Sequence, residues 1–164
     1  MNNTYRGLVD QTFDFPQEGF EVDDNYLKFN GVDIKRLIDK YGTPFKLTFL
    51  PKIGSQINKA KEYFNNAIKK HRYPGTYNYC YCTKSSHFSF IMEEALKNDI
   101  HVETSSAYDM DIIRALHAKK KLDKDRFIVC NGYKTKQYTK AISRLINEGW
   151  TNVIPVLDNK EEIE

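Results

Sequence analysis

YNYCYCTKSSHFSFIMEEALKNDIHVET, residues 77–104, holds two strand-like runs with a helix between them. YNYCYC alternates bulky and small side chains, the pattern of a strand whose neighbours face opposite sides. FSFIMEEALKND (88–99) reads as a helix and IHVET (100–104) as the next strand. Strand, helix and strand in so short a span form a βαβ unit, which implies a parallel pair covered by its crossover helix.

The same rhythm extends outward. FKLTFL (45–50) is predicted as a strand and SQINKAKEYFNNAIKKHR (55–72) as an amphipathic helix capped by Ser55. Downstream come the helix AYDMDIIRALHAKK, the strand RFIVCN, the helix KQYTKAISRLINEG, the strand NVIPVL and the start of a helix at DNKEEIE. About five β/α units result. The fold class expected is α/β, and the short, regular arms suit a parallel (β/α)8 TIM-type barrel at least as well as an open doubly wound sheet. Because the sequence stops inside a helical pattern, residues 26–164 are expected to be the N-terminal portion of a longer barrel with an open edge prone to self-association. Upstream, YLKF, an Asn30-Gly31 turn and a helix through Ile34, Leu37, Ile38 and Tyr41 precede Gly42 and Pro44, while residues 1–25 read as an irregular arm.

The 164 residues are 40% hydrophobic and 29% charged, a globular composition. A net charge of +3, with lysines interspersed among acids, is no nucleic-acid footprint. Apolar runs are short and MNNTYRGLVDQTF lacks a leader pattern, so neither export nor a membrane span is expected. The odd set Cys80, Cys82 and Cys130 sits in apolar runs, which points to reduced thiols and a cytoplasmic protein.

Alternation puts Asn78, Cys80, Cys82 and Lys84 on one strand face and Tyr77, Tyr79, Tyr81 and Thr83 on the other. Tyrosines suit the helix-facing side and small cysteines the barrel interior, so Lys84 is expected at the carboxyl end of its strand, pointing inward. Barrel enzymes keep catalytic groups at that end. A lysine held in a partly desolvated site is a nucleophilic amine that forms Schiff bases with carbonyl compounds. Other strands also end in polar groups: Glu103 with TSS after it, Asn131 with Gly132 and Lys134, and Asp158. Ser106 and Asn131 are equally suited to capping the helices that follow.

FNGVDIKRLIDKYGTPFKLTF resembles the opening segment of the pyridoxal-phosphate decarboxylases of the alanine-racemase-like barrel fold, and CTK (82–84) resembles the place of their cofactor lysine. ETSSAYDMDIIRAL (103–116) and CNGYK (130–134) are similar to motifs of the biosynthetic arginine decarboxylases in that group. The resemblance covers about residues 26–164. It implies pyridoxal 5'-phosphate held on Lys84 as a Schiff base, Glu103 as the acid beside it, and Ser106 and Asn131 as further cofactor-binding residues. It implies a small-molecule amino-acid substrate, most closely arginine, converted to agmatine and carbon dioxide for polyamine synthesis. A homodimer or higher homo-oligomer is also implied. The family often has Asn two places beyond the lysine, where this chain has Ser86, and His87 has no clean counterpart in the arginine branch. Diaminopimelate, ornithine and carboxynorspermidine decarboxylases therefore stay open, as does a non-catalytic cofactor-binding or regulatory homologue. The family's phosphate, pyridine and substrate ligands lie later in the chain, so this stretch alone is expected to be inactive.

Cys80, Cys82, Cys130, His87 and His101 lack the knuckle spacing of a structural zinc site, so no metal is expected. The tyrosine alternation, without a basic stripe, is strand packing rather than base stacking. HAKKKLDKDR (117–126) reads as a solvated helix end and loop, and Trp150 as a residue packed in the outer layer.

Overall fold

The computed structural model describes residues 18–163. They form two compact units that divide between Thr48 and Phe49. Most of the arm expected over residues 1–25 lies outside the described residues.

In the first unit, β1 (Phe20–Asp23), β2 (Tyr26–Phe29) and β3 (Val32–Asp33) make an antiparallel meander. The Asp24-Asn25 loop has φ values of 48° and 63°, and the Asn30-Gly31 loop 49° and 77°. Two residues with positive φ match the right-handed twist of the flanking strands, and Asp, Asn and Gly tolerate that conformation best. Residues 20–23 are thus a strand, where the sequence reading has irregular chain. The missed signal is the Asp24-Asn25 pair, which closes a hairpin as Asn30-Gly31 does. Phe20 and Phe29 are register partners with ring centroids 4.7 Å apart. α1 (Ile34–Tyr41) begins where the Asp33 carboxylate accepts the Arg36 N–H at 3.2 Å. It ends where the Gly42 N–H reaches the Ile38 carbonyl.

The second unit opens with α2 (Pro51–His71), four residues earlier than its sequence reading. Pro51 occupies the first turn, where a missing N–H costs nothing and the fixed φ is already helical. Ser55 therefore lies inside the helix and donates to the Lys52 carbonyl at 2.9 Å, so it is not the cap. The strand expected at 45–50 does not form. The Phe49 and Leu50 carbonyls accept from Lys52 and Ile53 instead, as the lead-in to α2.

Beyond α2 the alternation holds. β4 (Cys80–Cys82), a 3-10 turn at Thr83–Ser85, α3 (Ser89–Leu96), β5 (His101–Thr104), α4 (Ala107–Ala118), β6 (Ile128–Cys130), α5 (Lys136–Asn147) and β7 (Val153–Pro155) follow in order. The helix expected from residue 158 is a single 3-10 turn at Lys160–Glu162 among the described residues. All four strands are parallel and their spatial order is their chain order. The chain is α/β with a parallel four-stranded sheet, and the order does not reverse as in a doubly wound sheet.

Register decides what each face carries. Tyr81, Val102, Ile128 and Val153 are successive partners across the sheet. All four pack in one core with Met92, Met110, Ile113, Tyr138, Ile142 and Leu145 from α3, α4 and α5. Trp150 is buried in this same layer, its ring edge-on to His117. Ile57 of α2 packs on Ala95 and Ile100, with Tyr79 and Tyr81 alongside. The helices thus cover one face, and each apolar side chain buried there contributes about 1.5–3 kcal/mol. Cys82, Glu103, Val129 and Ile154 are partners on the opposite face and remain partly or largely exposed.

His101, on that open face, accepts the Phe127 N–H through Nδ1 at 3.1 Å, and its ring lies tilted against the Phe127 ring with centroids 4.4 Å apart. Burial, then the Arg126 charge, holds its imidazole below the ordinary value of 6.5. The unfolded chain therefore binds more protons here than the folded one, so His101 withdraws stability as pH falls through about 6.5. Urea midpoints measured from pH 8 to pH 5 are expected to decline less steeply in His101→Gln than in the parent chain.

Candidate functional site

Polar groups gather at the carboxyl ends of β4, β5 and β6, on the face the helices leave open. Lys84 stands in the 3-10 turn that directly continues β4 and is exposed. The turn is closed by Ser85 Oγ, which donates to the Cys82 carbonyl at 2.7 Å, and by Tyr81 Oη, which donates to the Ser86 carbonyl at 3.0 Å. A four-stranded sheet encloses nothing on its uncovered side, so Lys84 is not shielded from water as the sequence reading expects.

Glu103 lies on β5 opposite Cys82. Its Oε1 accepts from Cys82 Sγ at 3.5 Å and from Asn131 Nδ2 at 3.2 Å. The Asn131 backbone N–H continues the ladder to the Thr104 carbonyl at 2.8 Å, and its Oδ1 accepts the Gly132 N–H at 2.8 Å. With Oδ1 committed to an amide donor, the NH2 group is the one left to face Glu103. Three adjacent strands thus contribute to one cluster of Cys82, Glu103 and Asn131, with Lys84 in the turn two residues beyond Cys82 and no ion pair joining its ammonium to Glu103 among the described residues.

Ser106 is placed differently. It is the N-cap residue of α4, and its N–H and that of Ser105 donate to the Asp109 carboxylate at 3.0 and 2.7 Å. That is the backbone half of a capping box, so Ser106 has a structural duty, and among the described residues no hydrogen bond joins it to Glu103 or Lys84. Lys134 is likewise occupied, its ammonium donating to the Gly132 and Val156 carbonyls. Asp158 gives its N–H to Glu162 at 2.7 Å.

The thiols of the cluster are poor acids. Burial, then the Glu103 charge, pushes Cys80 up, and burial chiefly raises Cys82, with Glu103 adding to it. The Lys84 backbone N–H and ammonium act on Cys82 in the opposite sense. On the helix side, Tyr138 Oη meets Thr104 Oγ1 at 2.8 Å, and burial drives its phenol well above the usual range. Among the described residues no three His, Cys, Asp or Glu side chains converge as a metal site. A separate cleft of about 1030 Å³ between α5 and the Lys160–Glu162 turn is lined by Lys134, Lys140, Arg144 and Glu162 among others, and by none of the cluster residues. No described helix is long and apolar enough to cross a membrane.

Cys82 is the residue whose sequence reading stops at packing. The alternation that assigns Lys84 to this face assigns Cys82 to it as well, and that was the available signal. No protein-family model matches this sequence, and no curated protein matches it.

The cluster is held in place by Gly132, whose φ is +75°. A Cβ at this position would stand 2.5 Å from the Ser105 carbonyl oxygen, a backbone atom that cannot step aside. Gly132→Ala combines that clash with an unfavourable φ, and a loss of more than about 1 kcal/mol is expected in chemical denaturation.

Proposed function

We propose that this chain carries the cofactor lysine of a pyridoxal-phosphate-dependent amino-acid decarboxylase, with arginine as substrate and agmatine and carbon dioxide as products. On this reading the four parallel strands belong to a (β/α)8 barrel. The observation that carries it is that an accessible lysine and a hydrogen-bonded carboxylate and carboxamide stand at the carboxyl ends of adjacent strands, on the face free of helices. Sequential strand order and one-sided helix cover support the barrel, because an open doubly wound sheet has helices on both sides. The resemblance of CNGYK and ETSSAYDMDIIRAL to arginine decarboxylase motifs supports the substrate.

The donor set fits an aldehyde cofactor. Lys84 supplies the amine that condenses with a carbonyl carbon, and its exposure leaves room for the approach. Glu103 supplies a negative charge that favours a protonated nitrogen near it. Asn131 holds the Glu103 carboxylate through Oε1 and is itself held by Gly132. Pyridoxal phosphate, when bound, supplies the electron sink for the pair left behind as carbon dioxide departs. The protein's share is orientation and charge placement.

Borohydride reduction of the native full-length protein with pyridoxal phosphate, followed by peptide mapping, tests the assignment. A pyridoxyl label on Lys84 is expected, absent in Lys84→Ala. Carbon dioxide release is expected from arginine in preference to ornithine or diaminopimelate, and to be abolished in Lys84→Ala. An unlabelled Lys84 overturns the proposal; a labelled Lys84 with no carbon dioxide from any basic amino acid replaces the enzyme with a cofactor-binding protein.

A further inference from the structure

Cys82 is the side chain in the cluster that ties the strand leading into the Lys84 turn to the Glu103 carboxylate. It stands two residues before Lys84, its carbonyl accepts Ser85 Oγ at 2.7 Å in closing the Lys84 turn, and its S–H donates to Glu103 Oε1 at 3.5 Å. We propose that Cys82 is a positioning residue that couples the Lys84 turn to the Glu103 carboxylate and fixes which oxygen of that carboxylate faces a ligand. The inference rests on the functional reading above for its chemistry, but the coupling itself stands on the geometry.

Glu103 shows how. Oε1 accepts both available donors, Cys82 Sγ–H and Asn131 Nδ2–H, and Oε2 accepts none among the described residues. A carboxylate tied twice through one oxygen cannot swing about its last bond without losing both contacts. Oε2 is left as the free acceptor, suited to a cationic N–H donor such as a protonated amine or imine. The two ties come from opposite sides, because β4 and β6 flank β5. Asn131 is anchored by the Gly132 N–H, and Cys82 by the ladder and by the turn that Ser85 closes on its carbonyl.

A thiol suits this post because it stays a donor. Burial keeps it protonated, and so does the Glu103 charge it faces. The charged and titratable groups around it on this face are Glu103, Lys84 and Cys80, with His101 beside Cys80 in the register; Asn131 is neutral. Cys130 is on the other face, packed in the helix-side core.

Two measurements on the full-length protein test the coupling. The first is the pH–rate profile of iodoacetamide alkylation, resolved by peptide, for the parent and Glu103→Gln. Removing the carboxylate is expected to speed alkylation of Cys82 several-fold near pH 8, with Cys80 affected less and Cys130 unchanged. Equal Cys82 profiles in the two proteins overturn the contact. The second is the pH dependence of pyridoxal-phosphate attachment at Lys84, trapped by borohydride, in Cys82→Ser and Cys82→Ala of native circular dichroism. The serine hydroxyl is expected to preserve the parent profile and alanine to displace it. Parent-like profiles in both variants reduce Cys82 to packing. Should Lys84 accept no label in any protein, the decarboxylase reading falls, while the alkylation profiles still decide the coupling.

Discussion

Everything at the candidate site follows from which side of the sheet the helices occupy. In a parallel sheet, register partners share a face, so the row Tyr81, Val102, Ile128, Val153 and the row Cys82, Glu103, Val129, Ile154 are separated by the pleat alone. Right-handed crossovers between strands taken in sequential order deliver each helix to the same side. The first row is then committed to apolar burial. The second lies on the face free of that demand, where Glu103, Cys80, Cys82 and His101 occur without breaking the core.

Freedom from packing does not make the open face loose. The β5–α4 and β6–α5 connections lock together where Gly132 passes the Ser105 carbonyl closely enough to leave no room for a side chain. Ser105 and Ser106 are in turn gathered by the buried Asp109 carboxylate. From that fixed point, contacts run through Asn131 and Glu103 to Cys82, two residues before Lys84. A displacement in either connection is transmitted to the Glu103 carboxylate through two short bonds. Burial raises both thiols of this face, which keeps Cys82 a donor to Glu103.

The β/α alternation after residue 80 is legible in the sequence because its strands are short apolar runs between clear helical patterns, and because Tyr79 and Tyr81 declare the helix side by size. Lys84, Glu103 and Asn131 are legible for the same reason: each stands at or just past a strand end. Three features resist such reading. The β1 strand is hidden because Phe20–Asp23 alternates with acidic residues and its hairpin loop lacks glycine. Residues 45–50 have strand-like composition, but a strand exists only with a ladder partner, and Pro51 draws their end into a helix. The third is Cys82, because whether a thiol packs or donates depends on what the neighbouring strand sets opposite it, which is a matter of register rather than composition.

Lys84 remains open to water, and this bears on how its chemistry would be switched on. A charged ligand's contacts on this face would be weak while water reaches it and stronger once water is excluded, since two unit charges about 4 Å apart attract by about 1 kcal/mol in bulk water and about 4 kcal/mol at the effective dielectric near a protein surface. Covering would act on the thiols too, raising the cost of ionising them and so strengthening their role as donors. One event, closure over the uncovered face, would thus strengthen a ligand's contacts there and the Cys82–Glu103 bond together. The helix side would be unaffected, its core being already dry.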